Sequence, residues 1–172
     1  RELEITFLKH DARKLPFTNE FDLVLMLCEG GFPLMETDEM NFEILRGCGR
    51  ALKEQGSLIM TTLNGLFPLY HKPDDFCNAS SAEENATYES SGFDLMTFRD
   101  YNRTTVVDDL GREKTLDCSE RYYVPPEMSW LLKQAGFTSV DIFGARLGEF
   151  SREHTLSTED FEMLVIAQKE KG

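Results

Sequence analysis

Long hydrophobic runs are missing from this 172-residue chain. No stretch reaches the roughly 18 consecutive apolar residues of a membrane-spanning helix, and no basic start leads into an apolar signal region. A soluble protein is expected. Cysteine is scarce: Cys28, Cys48, Cys77 and Cys118 form no C-x-x-C pair, which argues against a zinc knuckle and a disulfide framework and makes a reducing cytoplasm the expected compartment. The histidines, His10, His71 and His154, have no short-range partner of metal-binding type and no H-E-x-x-H occurs, so no metal is expected. G-x-S-x-G, G-x-x-x-x-G-K and G-x-G-x-x-G are absent too, leaving hydrolase and kinase readings unsupported. Positive charge is short: 18 Lys and Arg face 31 Asp and Glu, a net charge of -13. Such a chain repels a phosphate backbone, which excludes a nucleic-acid partner and favours a small neutral-to-cationic one.

Apolar content is adequate, at 41%, for one sizeable core and one domain. Glu2 to Lys9 alternates apolar and polar residues, the period of a strand. Phe21 to Leu27 is almost continuously apolar, as in a strand buried on both faces of a parallel sheet, and reads as the central strand. Thr37 is placed to cap a helix running to about Glu54, with Asp38 and Glu39 in its first turn and Gly56 as a left-handed stop. Ser57 to Thr62 reads as a further buried strand. The alternation predicts an open α/β sheet.

Residues from about Pro73 to Gly92 are acidic, polar and aperiodic, and read as a mobile insertion with little core. Leu95 to Val107 and Lys114 to Tyr123 are β-prone and joined by a turn at Asp108 to Gly111, which predicts an antiparallel flap inserted over residues 63–123. Pro125 and Pro126 open a last helix that Ala135 and Gly136 close. Phe137 to Phe143 and Phe161 to Gln168 follow as two strands joined by a loop, hence antiparallel neighbours.

Candidate ligand positions lie beyond the carboxyl ends of strands, where open α/β sheets bind. Asp11 and Ala12 follow the first strand; a carboxylate there can accept an exocyclic amino group while the next backbone N–H donates to a ring nitrogen, although an Asp after a strand is as often a turn former. Leu27, Cys28, Glu29 and Phe32 leave the Phe21 strand at the same edge. Glu29 can bind a substrate amine or take a proton from it, and Cys28 is expected to serve as small apolar packing.

Three pieces in order carry a resemblance: Phe7 to Phe17 (FLKHDARKLPF), Phe21 to Leu27 (FDLVLML) and Leu45 to Met60 (LRGCGRALKEQGSLIM). They resemble class I S-adenosylmethionine-dependent methyltransferases, in which a strand ends in Asp-Ala, Leu-Pro-Phe and Phe-Asp lead into the fourth strand, and Leu-Lys-x-Gly-Gly precedes the fifth. Gln55 replaces the usual first Gly. Arg121 to Met128, Leu131 to Phe137 and Met163 to Lys169 are similar to the family's last helix and final strand pair.

The resemblance implies a Rossmann-like methyltransferase sheet with a terminal antiparallel strand pair and an inserted hairpin. It implies S-adenosylmethionine as cofactor, with Asp11 and Ala12 at its adenine and the backbone of Leu27 and Cys28 at its methionine part. Glu29, Phe32, Asn64, Tyr122 and Tyr123 fall where relatives approach a small-molecule methyl acceptor. It also implies that the first two strands and the glycine-rich loop lie upstream of Arg1, so that these residues alone bind cofactor weakly and are inactive. Either the Glu2 to Lys9 strand then covers the exposed edge of the Phe21 strand, or a second copy does, as a homodimer or swapped assembly. A non-catalytic interaction domain built on the same half-sheet is the alternative; a dehydrogenase is disfavoured by the loop-joined final strands.

Overall fold

The structure, a computed structural model, describes residues 4–28, 31–73, 75–77, 86–146 and 149–170. Its nucleus is one β-α-β unit. Strand β1 (Phe21–Met26) leads through a loop to helix α1 (Asp38–Ala51), which returns to β2 (Leu52–Leu63), parallel to β1. Thr37 starts the helix as its sequence suggests: its hydroxyl accepts the Met40 N–H, with Asp38 and Glu39 favourably placed at the positive end of the helix dipole.

The helix ends three residues before the expected Glu54, and its stop is not Gly56. Phe21 pairs with Leu52 but Leu23 pairs with Ser57, so residues 53–56 bulge out of register. The left-handed residue in that bulge is Gln55, at φ 62°. Gly56 serves another need, since a Cβ there would come within 2.9 Å of the Lys53 carbonyl oxygen.

After helix α2 (Pro125–Gln134) come β6 (Ser139–Arg146), the short β7 (Glu149–Phe150) and β8 (Glu162–Gln168). The sheet order is β1-β2-β8-β6-β7, with β8 antiparallel to both β2 and β6. The expected final antiparallel pair is thus present. Helices α1 and α2 pack on one face of this sheet: Ile44, Leu45 and Cys48 of α1 and Met128 and Leu132 of α2 share a core with Met26, Leu58, Met60 and Val165. Among the described residues no helix is long and apolar enough to cross a membrane.

A second sheet, β3-β4-β5, rises from the end of β2 as the flap: β3 (Ala86–Asp94), β4 (Arg99–Val107) and β5 (Glu113–Arg121), antiparallel throughout. The turn falls where expected, with the Asp108 carboxylate accepting the N–H groups of Leu110 and Arg112. Two expectations change. Leu95 to Phe98 form a turn rather than the start of β4, and residues 86–92, read as part of a mobile insertion, form most of β3, with Tyr88 buried. Cross-strand pairing with β4 supplies the order that the polar composition conceals.

Two strand readings are also corrected. Residues 4–9 of the Glu2 to Lys9 segment form no strand and pair with nothing in the sheet; Ile5, Phe7 and Leu8 are exposed. Alternation alone does not hold a strand that lacks a hydrogen-bonded neighbour. The Phe21 strand is not central: among the described residues β1 is an edge, bonded only to β2, and Phe21, Leu23 and Leu25 are exposed while Met26 is buried.

Candidate functional site

The carboxyl ends of β1 and β2 meet one end of the flap. At β1, Leu27 is exposed and Cys28 turns the chain with φ 54°, its N–H donating to Thr61 Oγ1 at 3.0 Å. Cys28 is exposed, so the expectation that it packs as a small apolar group is corrected: regular pairing stops at Met26, and the left-handed turn carries the next residues outward. Glu29 lies outside the described residues.

At β2, Phe32, Asn64, Tyr122 and Tyr123 come together. Tyr123 forms a parallel bridge with Asn64, and its ring stacks on Phe32 with centroids 5.0 Å apart. Its hydroxyl accepts from Asn41 Nδ2 at 2.9 Å, and burial pushes its ionisation upward, the Asp38 charge adding to the effect. Asn64 is buried and committed to the fold: Nδ2 donates to the Ser157 and Asp160 carbonyls, and Oδ1 accepts the Leu66 N–H. Tyr122 makes edge contacts with Phe93 of the flap and Phe161 beside β8. Four expected acceptor-side residues thus form a buried join between sheet and flap.

Asp11 and Ala12 stand on the flank of α1. A 3-10 turn (Ala12–Lys14) packs there, Asp11 accepting the Arg13 N–H at 2.9 Å and pairing with the Arg13 guanidinium at 2.7 Å. That hydrogen-bonded ion pair lowers the Asp11 carboxyl to about 2, so it is an ionised acceptor at any ordinary pH. Beside it, Leu8, Ala12, Leu15, Phe17 and Phe21 line a mainly apolar cleft of about 570 Å³ that Thr6 and His10 complete.

Two features escape the sequence reading. The first is a clamp. Arg99 and Arg121, both buried, converge on Asp38 at the start of α1: Arg99 Nη2 donates at 3.0 Å and Arg121 Nε at 3.3 Å. Arg121 also donates to Glu127 and to the Tyr122 carbonyl, and lies over the Tyr123 ring at 4.5 Å. The second is a cleft of about 490 Å³ beyond β2, walled by Phe67, Tyr70, His71 and Phe76 and bordered by Lys72, Asp75 and Glu159. Phe67 and His71 at i and i+4 were its only local signal.

No protein-family model matches the sequence, and no curated protein matches it. Solved structures do. A S-adenosylmethionine-dependent methyltransferase from Clostridium acetobutylicum superimposes with TM-score 0.69 at 14% identity, covering 98% of this chain and 66% of that one. The chain has the class I methyltransferase fold. The CcbJ methyltransferase of Streptomyces caelestis gives TM-score 0.59 at 12% identity over 93% of this chain and 66% of its own. CalS10 from Micromonospora echinaspora, an amino pentose methyltransferase involved in calicheamicin biosynthesis, gives 0.58 at 17% over 93% and 63%. The chain therefore spans 66% or less of the length of each of these methyltransferases.

Proposed function

We propose that the protein transfers a methyl group from S-adenosylmethionine to a small-molecule acceptor. Residues 1–172 supply the adenine-facing edge and the acceptor-facing flap. The observation that carries the reading is the pairing of an ionised acceptor, Asp11, with the adjacent mainly apolar cleft at Ala12, beside the β-α-β unit of a methyltransferase fold. A planar amino-purine needs both: apolar walls for its faces and an acceptor for its amino group. The cofactor, when bound, supplies a sulfonium methyl. The protein then acts chiefly by holding the acceptor in line with that methyl and excluding water. Leu27 and Cys28 contribute backbone groups at the methionine part, and Phe32, Asn64, Tyr122 and Tyr123 stand on the acceptor side.

Titration calorimetry of the full-length gene product with S-adenosylhomocysteine tests the cofactor site. Asp11→Ala is expected to weaken binding about tenfold, the worth of one charge-assisted hydrogen bond of about 1.4 kcal/mol. Unchanged affinity in the variant would remove Asp11 from the site. Residues 1–172 alone are expected to bind S-adenosylhomocysteine weakly, and micromolar affinity for them would contradict that expectation.

The exposed edge of β1 belongs to the same proposal. Its backbone groups, unpaired among the described residues, and the side chains of Leu23 and Leu25 form a template for a second copy of this chain. Light scattering of residues 1–172 is expected to report a dimer or larger species that Leu25→Lys converts to monomer. Monomeric behaviour without the substitution would exclude a second copy as the cover.

A further inference from the structure

We propose that the cleft beyond β2 is where the methyl acceptor binds, and that the acceptor is a small organic amine held as its cation. This rests on the methyl-transfer reading for its role, but the binding chemistry stands on the cleft itself. Phe67 provides a nearly buried floor, 5% exposed, while Phe76 and Tyr70 stand more open, at 40% and 71%. His71 packs face to face on Phe67 with centroids 4.7 Å apart, and its Nε2 lies 3.1 Å from Glu159 Oε1. The carboxylates of Glu159 and Asp75 border the aromatic walls, together with the exposed Lys72. Aromatic faces backed by carboxylates attract an organic cation through ring quadrupole and charge together; an anion meets repulsion from both. A neutral apolar ligand gains the walls alone.

The position of the cleft supports an acceptor rather than an unrelated ligand. Its wall continues by ring contact into the join at the end of β2: Phe76 stacks on Phe161 at 4.3 Å, Phe161 meets the edge of Tyr122 at 6.1 Å, and the Phe161 carbonyl accepts the Asn64 N–H at 2.9 Å. The chain's net charge of -13 favours a cationic ligand over long range as well.

The test uses phenethylamine, the isosteric phenethyl alcohol and phenylacetate as probes, with binding followed by ligand-observed NMR on the full-length protein without cofactor. Phenethylamine is expected to bind in the millimolar range or tighter, with the alcohol at least about fivefold weaker and phenylacetate weakest. Glu159→Gln, a change at an exposed side chain, is expected to weaken the amine about fivefold and leave the alcohol unchanged. Phe76→Ala is expected to weaken both, with the melting temperature checked to confirm folding. Equal binding of amine and alcohol, preference for phenylacetate, no binding of the amine, or an amine affinity indifferent to Glu159→Gln would each overturn the inference. Failure of the methyl-transfer reading has a different signature: amine binding intact but no affinity for S-adenosylhomocysteine.

Discussion

Arg121→Ala is expected to be the most damaging single substitution on the flap side, lowering unfolding free energy by about 3 kcal/mol in a urea titration. The side chain is almost wholly buried and serves four partners: Asp38, Glu127, the Tyr122 carbonyl and the face of Tyr123. Its removal leaves Glu127 without this cation, Asp38 with Arg99 alone, and a void against the Tyr123 ring. About half of the Asp38 side chain is exposed and can regain water, which holds the expected loss to the lower end for a broken buried pair. Arg121→Lys keeps the charge but loses the forked geometry that spans two carboxylates, so it is expected to recover only part of the loss. A loss below about 1 kcal/mol for the alanine variant would show that the clamp is geometry without energy.

Gly49→Ala comes second, through a different mechanism. Gly49 lies within α1, where alanine would otherwise gain about 1 kcal/mol in helix propensity. An added Cβ would stand 2.5 Å from the Ala135 carbonyl oxygen, a backbone atom just after α2, so one helix must shift away from the other. Overpacking of this kind costs about 1 to 3 kcal/mol. The expected outcome is a net fall in the denaturation midpoint despite the better helix former. A rise would mean that the two helices separate freely.

Elements governed by local chemistry were legible in the sequence. The cap at Thr37, the Pro125 start, the Asp108 turn and the loop-joined final strands each depend on residues a few positions apart, and each appears where those residues place it. Elements governed by distant partners were not. Alternation over Glu2 to Lys9 says nothing about whether a neighbouring strand exists, and the apolar run of Phe21 to Leu27 fits an edge as well as a centre. Polar β3 is ordered by its pairing with β4, which its own composition does not encode. The candidate site divides in the same way. Asp11 and Ala12 were visible as a pattern after a strand-like segment, but the Arg13 contact that keeps Asp11 ionised is a matter of rotamers. The clamp joins Asp38 to arginines more than sixty residues later in the chain. The aromatic cleft draws Glu159 from beyond the whole flap and helix α2.

Tyr122 and Tyr123 are adjacent yet belong to different neighbourhoods, one ring against Phe93 and Phe161, the other against Phe32. Successive residues of an extended chain point to opposite sides, so this dipeptide works like a rivet through the join. The base of the flap cannot swing as a door without pulling a ring out of one packed cluster or the other. Any opening that admits a ligand must come from bending farther out, toward the Asp108 turn, while the riveted base opens only when the main sheet does.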